Sequence, residues 1–237
     1  MSRPDTSLRS QAYELLQEWI VTQVLKPNTT VTEEELAERS GIGRTPIREA
    51  LQRLARDGLL SIRPRSSIVI LDMTPARQVQ LLEARASLQE QTVRLAARRA
   101  DPDERARMLL LASAVEEAAR IGDGELYLRI ARDIHHALCA AARNEFLQEF
   151  MGSLYTLSRQ FSFTHLRNVD IPRASATHAG ILRAVAARDE EAAARASQAM
   201  MDFLYDFTEA RRSARAPAGR KARPRGGVAT GTVRRPG

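Results

Sequence analysis

The chain has 237 residues, 43% of them hydrophobic and only 5% aromatic, with a formal net charge of +7 and a single cysteine, Cys139. Abundant Ala, Leu, Arg and Glu favour helices over a β-sandwich, and one cysteine excludes an internal disulfide framework. No apolar run reaches the roughly 18 residues that a membrane span needs, and Met1-Ser2-Arg3-Pro4-Asp5 leads into no apolar segment, so a cytoplasmic protein is expected.

A first helix is expected from Ser7 to Lys26, where Leu8, Ala12, Leu15, Leu16, Trp19, Ile20 and Val24 recur at helical spacing before Pro27-Asn28. Thr32-Glu33-Glu34-Glu35 has the form of a capping box that opens a second helix to Ser40. Gly41-Ile42-Gly43 is a tight turn, after which Thr45-Pro46 reads as N-cap and N1 of a third helix. That helix should stop at Asp57-Gly58, with Gly58 suited to the left-handed C′ position. Leu59–Arg63 and Ile68–Leu71 are β-prone runs around Pro64-Arg65-Ser66-Ser67 and predict a two-stranded wing.

Beyond the connector Asp72-Met73-Thr74-Pro75 the pattern is helical throughout. Six helices are expected, over 75–99, 102–121, 125–142, 145–166, 172–188 and 190–212, separated by Asp101-Pro102, Gly122-Asp123-Gly124, Arg143-Asn144, Asp170-Ile171-Pro172 and Asp189. The predicted fold is therefore mainly α: a winged helix-turn-helix over 7–72, then an all-helical six-helix bundle over 75–212 with room for a small ligand. Residues 213–237 hold seven basic residues and no acid, a composition expected to be disordered, and without those charges residues 1–212 are formally neutral. The basic pI of about 10.4 is thus a property of the tail.

Evidence for DNA binding has to be local, and it is. From Arg39 to Arg65 there are seven arginines against only Glu49 and Asp57. A helix–turn–helix followed by a wing places its second helix in the major groove. Arg44 and Arg48 share one face of that helix, in the turn nearest the base edges, where a guanidinium can bind guanine or clamp phosphate. Thr45 would present first-turn N–H groups to a phosphate. Arg53 adds charge further along, and Arg65, Ser66 and Ser67 suit the DNA backbone or minor groove from the wing.

The stretch Leu36-Ala37-Glu38-Arg39-Ser40-Gly41-Ile42-Gly43-Arg44-Thr45-Pro46-Ile47-Arg48-Glu49-Ala50-Leu51, continued to Leu60, resembles the signature of GntR-superfamily regulators. Residues 75–212 resemble the effector domain of its FadR-type, or FCD, branch. Together these likenesses cover about residues 8–210. They imply a homodimer whose winged helices each read half of an inverted repeat in double-stranded DNA. Two departures touch the DNA module: Gly43 replaces the family's serine, and Ser66-Ser67 replaces its wing glycine.

The FCD branch carries an Asp and a His four residues apart, joined by two later histidines around a metal. Ile134-His135-His136-Ala137-Leu138 and Asn144 set the register here, so His135 is the family histidine and Ala131 fills the carboxylate position. His178 matches the second histidine, whereas the third falls at Met200. Asp133 is no substitute, lying about 200° around the helix from His135 and facing His136. His135 and His178 are thus expected to line the cavity as a degraded metal site, with divalent metal disfavoured and no cofactor assigned. Arg85, in Glu83-Ala84-Arg85, matches a family E-x-R position and can clamp a carboxylate effector. Its alternative role is a salt bridge on the helix surface.

The sequence leaves two rival functions to consider. No nucleophile elbow, phosphate loop or HExxH motif supports an enzyme. A nonspecific nucleic-acid-binding protein driven by the basic tail is the other alternative.

Overall fold

The computed structural model describes residues 7–63 and 67–215. The N-terminal part runs α1 (Leu8–Val21), β1 (Thr30–Val31), α2 (Glu33–Ser40), α3 (Arg44–Arg56), β2 (Leu60–Arg63) and β3 (Ser67–Ile70). The bundle follows as α4 (Pro75–Arg99), α5 (Pro102–Ile121), α6 (Gly124–Ala142), α7 (Glu145–His165), α8 (Ile171–Ala186) and α9 (Glu190–Arg215).

The N-terminal part has its own core, in which Leu16 and Ile20 of α1 meet Leu36 of α2, Ile47, Leu51 and Leu54 of α3, and Ile68 and Ile70 of β3. The capping box at Thr32 forms as read: Glu35 N–H donates to Thr32 Oγ1 at 3.2 Å, and Thr32 N–H to Glu35 Oε2 at 2.8 Å. Gly58 takes φ +77°, the left-handed conformation expected after α3.

Three local expectations need correction. The first helix stops at Val21 rather than Lys26. Gln23 and Asn28 adopt positive φ of 58° and 62°, turning the chain so that Leu25 tucks into the core. Beyond this turn Thr30–Val31 form β1, a strand absent from the sequence reading, and the sheet has three antiparallel strands in the order β1-β3-β2. Thr45 is not the N-cap of α3. Gly43 holds that position, with φ −58° and ψ 156°, so Thr45 and Pro46 lie within the first turn. Proline is tolerated there because first-turn N–H groups have no intrahelical acceptor.

In the bundle, α4 packs against α6, α7, α8 and α9 and forms its axis. Thr74 caps α4 and Asp101 caps α5, each followed directly by proline. Remaining helix ends fall within two residues of the sequence reading, except that α9 continues to Arg215, three residues into the expected tail. Residues 216–237 lie outside the described part. Among the described residues no helix is long and apolar enough to cross a membrane.

One helix, α7, belongs to both halves. Ser153 Oγ donates to Asp57 Oδ1 at 2.9 Å, at the end of α3, and Gln160 Nε2 donates to Leu71 O at 2.9 Å. Leu157 packs on both cores. Arg159 forms a two-pronged ion pair with Glu18 of α1, at 2.7 and 2.8 Å.

Candidate DNA interface and effector cavity

Helix α3 buries Ile47, Ala50, Leu51 and Leu54, which turns Arg44, Thr45, Arg48 and Gln52 outward. Residues 44, 48 and 52 recur every four positions and form one stripe along the exposed face. Gln52 was not singled out from sequence, although its i,i+4 step from Arg48 was available and a glutamine amide can bond adenine in two places. Arg53 lies about 140° round from Arg48. Its guanidinium rests 3.9 Å from the centre of the Tyr13 ring, so it is packed toward α1 and away from the stripe. Gly43 is exposed, and a Cβ added there would meet only Pro46 Cδ, at 3.9 Å. Ser67 opens β3. Arg65 and Ser66 lie outside the described residues.

Both leading arginines are already paired. Arg48 donates to the Glu33 carboxylate at 2.9 to 3.2 Å, and Arg44 bonds to Glu34. These acids occupy the first turn of α2, where the helix dipole favours them. Exposed pairs of this kind are worth roughly 0–1 kcal/mol, so a phosphate or base edge can take the arginines at little expense.

The cavity of the bundle occupies about 510 Å³, including the solvent space at its mouth, between α4, α6, α7, α8 and α9. Arg85, Ala131, His178 and Met200 all line it, so the register assigned from sequence places these positions around one space. His135 faces an adjoining smaller cavity, which shares Arg85, Tyr155, His178 and Met200 with the first. Its ring stacks flat on Tyr155, with centroids 4.1 Å apart.

Arg85 is not a surface ion pair. It is 5% exposed, with Nε donating to Gln89 Oε1 at 2.7 Å and Nη1 to Ser158 Oγ at 3.1 Å. No carboxylate pairs with it among the described residues, and burial pulls its pKa below the ordinary value. An isolated charge inside a protein is costly, so a buried guanidinium with only neutral partners is able to take up an anion. The neighbouring groups are consistent with this. Burial, reinforced by Arg85, holds His135 well below its ordinary range and His178 at about 4, so both rings are neutral near pH 7. His178 Nδ1 lies 3.1 Å from Ala174 O, which identifies it as the protonated nitrogen, and 3.2 Å from the Tyr127 hydroxyl. Burial also pushes the Tyr155 phenol up to about 12.

The family's metal does not fit this donor set. Ala131 offers no ligand, and the Met200 sulfur lies 3.0 Å from the Gln89 amide that donates to it. Among the described residues no group of three His, Cys, Asp or Glu side chains is gathered. Two imidazoles remain, beside a guanidinium whose charge opposes a cation.

A helix–turn–helix with a β-wing, joined to a helical bundle around a mainly apolar cavity with a buried arginine, defines a DNA-binding regulator with a ligand-binding module. Comparison with known proteins agrees. Residues 8–70 match the family "Bacterial regulatory proteins, gntR family", and residues 80–203 match the FCD domain. The chain is 29% identical over 143 residues to the Nta operon transcriptional regulator of Aminobacter aminovorans, an alignment that spans 60% of this chain and 66% of that one. It is 26% identical over 149 residues to the HTH-type transcriptional regulator McbR of Escherichia coli, covering 63% and 67% of the two chains. The solved fold of E. coli McbR superposes with a TM-score of 0.76 at 21% identity, over 87% of this chain and 99% of that one. A GntR structure from Rhodococcus sp. RHA1 gives 0.63 at 21% identity, over 88% and 99%. The chain belongs to the gntR family of bacterial regulatory proteins, with an FCD domain. It is a DNA-binding transcriptional regulator and not an enzyme.

Proposed function

We propose that the chain acts in the cytoplasm as a homodimer, repressing genes by binding an inverted-repeat operator, and that a small anionic effector in the bundle changes that affinity. Arg44, Arg48 and Gln52 read base edges, and Thr45 with the first-turn N–H groups of α3 holds a phosphate. Ser67, with Arg65 and Ser66 beside it in sequence, flanks the groove. Arg53 supports α1 through Tyr13 instead.

The observation that carries the effector class is Arg85, buried at the cavity without a carboxylate. His178 and the Tyr127 and Ser158 hydroxyls supply neutral hydrogen bonds around it, while His135 keeps the Tyr155 ring in place. Such a site holds a carboxylate by charge and the rest of the molecule by shape.

Genomic footprinting of the full chain tests the DNA half. Protected sites should be inverted repeats whose half-site centres lie about one helical turn, roughly 10 base pairs, apart. Deleting 213–237 should weaken binding and preserve site preference, because the tail adds only a salt-sensitive, nonspecific contribution. Protection without preferred sites, lost on that deletion, would overturn the reading in favour of a tail-driven nucleic-acid binder.

A further inference from the structure

The cavity is lined by a second buried guanidinium, that of Arg159, whose situation differs from that of Arg85. Arg159 is 7% exposed and stands on α7 one turn beyond Tyr155. Its two terminal nitrogens are taken by Glu18, which belongs to α1 of the DNA-binding module, 141 positions away in sequence. Its Nε is buried and has no partner. Orphaned buried N–H donors are rare, and this one belongs to a side chain that lines an open cavity. Ser158, the preceding residue, receives the hydrogen bond of Arg85. The charge that lacks a carboxylate therefore reaches from α4 to Ser158, the neighbour in α7 of the residue whose charge borrows one from the other module.

We propose that an organic monocarboxylate bound on Arg85 also engages Arg159, drawing it from Glu18, so that the ligand and the DNA-binding module compete for one guanidinium. This rests on the anionic-effector reading above and adds the route by which the effector acts. The carboxylate has the geometry to replace Glu18 on Arg159 and to satisfy the spare Nε donor. The body of the ligand lies on Leu128, Met200, Phe203, Leu204 and Phe207, which give the cavity an apolar wall. When Arg159 leaves Glu18, α1 loses its ion pair to α7, while the module stays attached through Ser153–Asp57 and Gln160–Leu71. Helix α1 packs directly on α3, so a change in its seat moves the recognition helix. Competition of this kind is reciprocal: whatever weakens the Glu18 pair must tighten the ligand.

The test uses the full chain in calorimetric titration with acetate, hexanoate and phenylacetate, each against its uncharged amide. The variants are Glu18→Gln, Glu18→Asp and Arg85→Gln. Emission is followed in parallel from Trp19, the sole tryptophan, which sits next to Glu18 on α1. The expected result is carboxylate binding that exceeds amide binding and is lost in Arg85→Gln. Glu18→Gln should bind the carboxylate about tenfold tighter, within the usual span of coupled sites. Carboxylate should change Trp19 emission in the wild type and not in Glu18→Gln, while Glu18→Asp, which keeps the charge, stays near wild type. If binding needs Arg85 but Glu18→Gln leaves affinity unchanged or lowers it, the competition is wrong and the anionic effector stands. If no carboxylate binds better than its amide, both fall.

Discussion

The DNA-binding module and the bundle carry their arginines in opposite ways. Arg44 and Arg48 are exposed and paired with acids one helix away. Arg85 and Arg159 are buried, one without a carboxylate and one holding a carboxylate from the other module. Exposed charges are cheap to re-pair, which suits a surface that must exchange glutamates for phosphates. Buried charges respond to a single arriving anion, which suits a switch. On the proposed reading the two halves answer to different ligands through the same side-chain chemistry, and burial separates them.

Acidification is expected to separate the halves most strongly. All four histidines, His135, His136, His165 and His178, lie in the bundle. Burial lowers the folded-state pKa of His178 from 6.5 to about 4, and His135 moves the same way. The unfolded chain therefore binds protons first as pH falls. Stability is full above about pH 6.5 and is lost through the interval down to about 4, with roughly 2 kcal/mol gone by pH 5 from His178 alone. Glu18, held below the usual carboxylate range by its Arg159 hydrogen bond, contributes no loss until lower pH. Denaturant melts at pH 7 and 5, read by far-ultraviolet circular dichroism and by Trp19 emission, should show the bundle weakening more than the α1 region. Equal loss in both signals would break the contrast.

Metal should matter less. Stripping the chain and reloading it with zinc is expected to move the melting temperature by under about 2 degrees, the size of shift that less than 1 kcal/mol gives at this length. A rise of about ten degrees with one ion per subunit would mean that His135 and His178 recruit ligands despite Ala131 and Met200. The smallest effect is expected from Gly43→Ser. The site has room for a Cβ and lacks a side-chain cap, so a serine hydroxyl should add a few tenths of a kcal/mol in a denaturant titration. Destabilisation would show that the turn is held by something other than cap geometry.

These contrasts also separate what was legible in the sequence from what was not. Thr74-Pro75 and Asp101-Pro102 mark the starts of α4 and α5 because a cap side chain and a proline act within one turn. The same signature misled at Thr45-Pro46, where Gly41 in the left-handed conformation and an extended Gly43 start the helix earlier. Helix α1 was read five residues too long because its end is set by the left-handed turn at Gln23 and the burial of Leu25 in the module's core. Strand β1 escaped notice because it exists only through its pairing with β3, some forty positions on. The family register named Arg85, Ala131, His135, His178 and Met200, of which all but His135 line the larger cavity, while His135 faces the smaller one beside it. It could not show that Arg85 lacks a counter-ion, since Glu83 and nearby acids made a surface pair equally reasonable. Arg159 escaped notice altogether. Its partner, Glu18, is brought to it only by the docking of α1 on α7.

The most direct measurement is binding of wild type, Arg44→Ala, Arg48→Ala and the tail deletion to a footprinted operator, each against scrambled DNA. Each arginine substitution should lower operator affinity about 10- to 100-fold and relax preference at one position, while the tail deletion weakens both DNAs alike. Full operator preference in the Arg44→Ala, Arg48→Ala double variant would contradict the account, because the exposed stripe of α3 would then not be what reads the DNA.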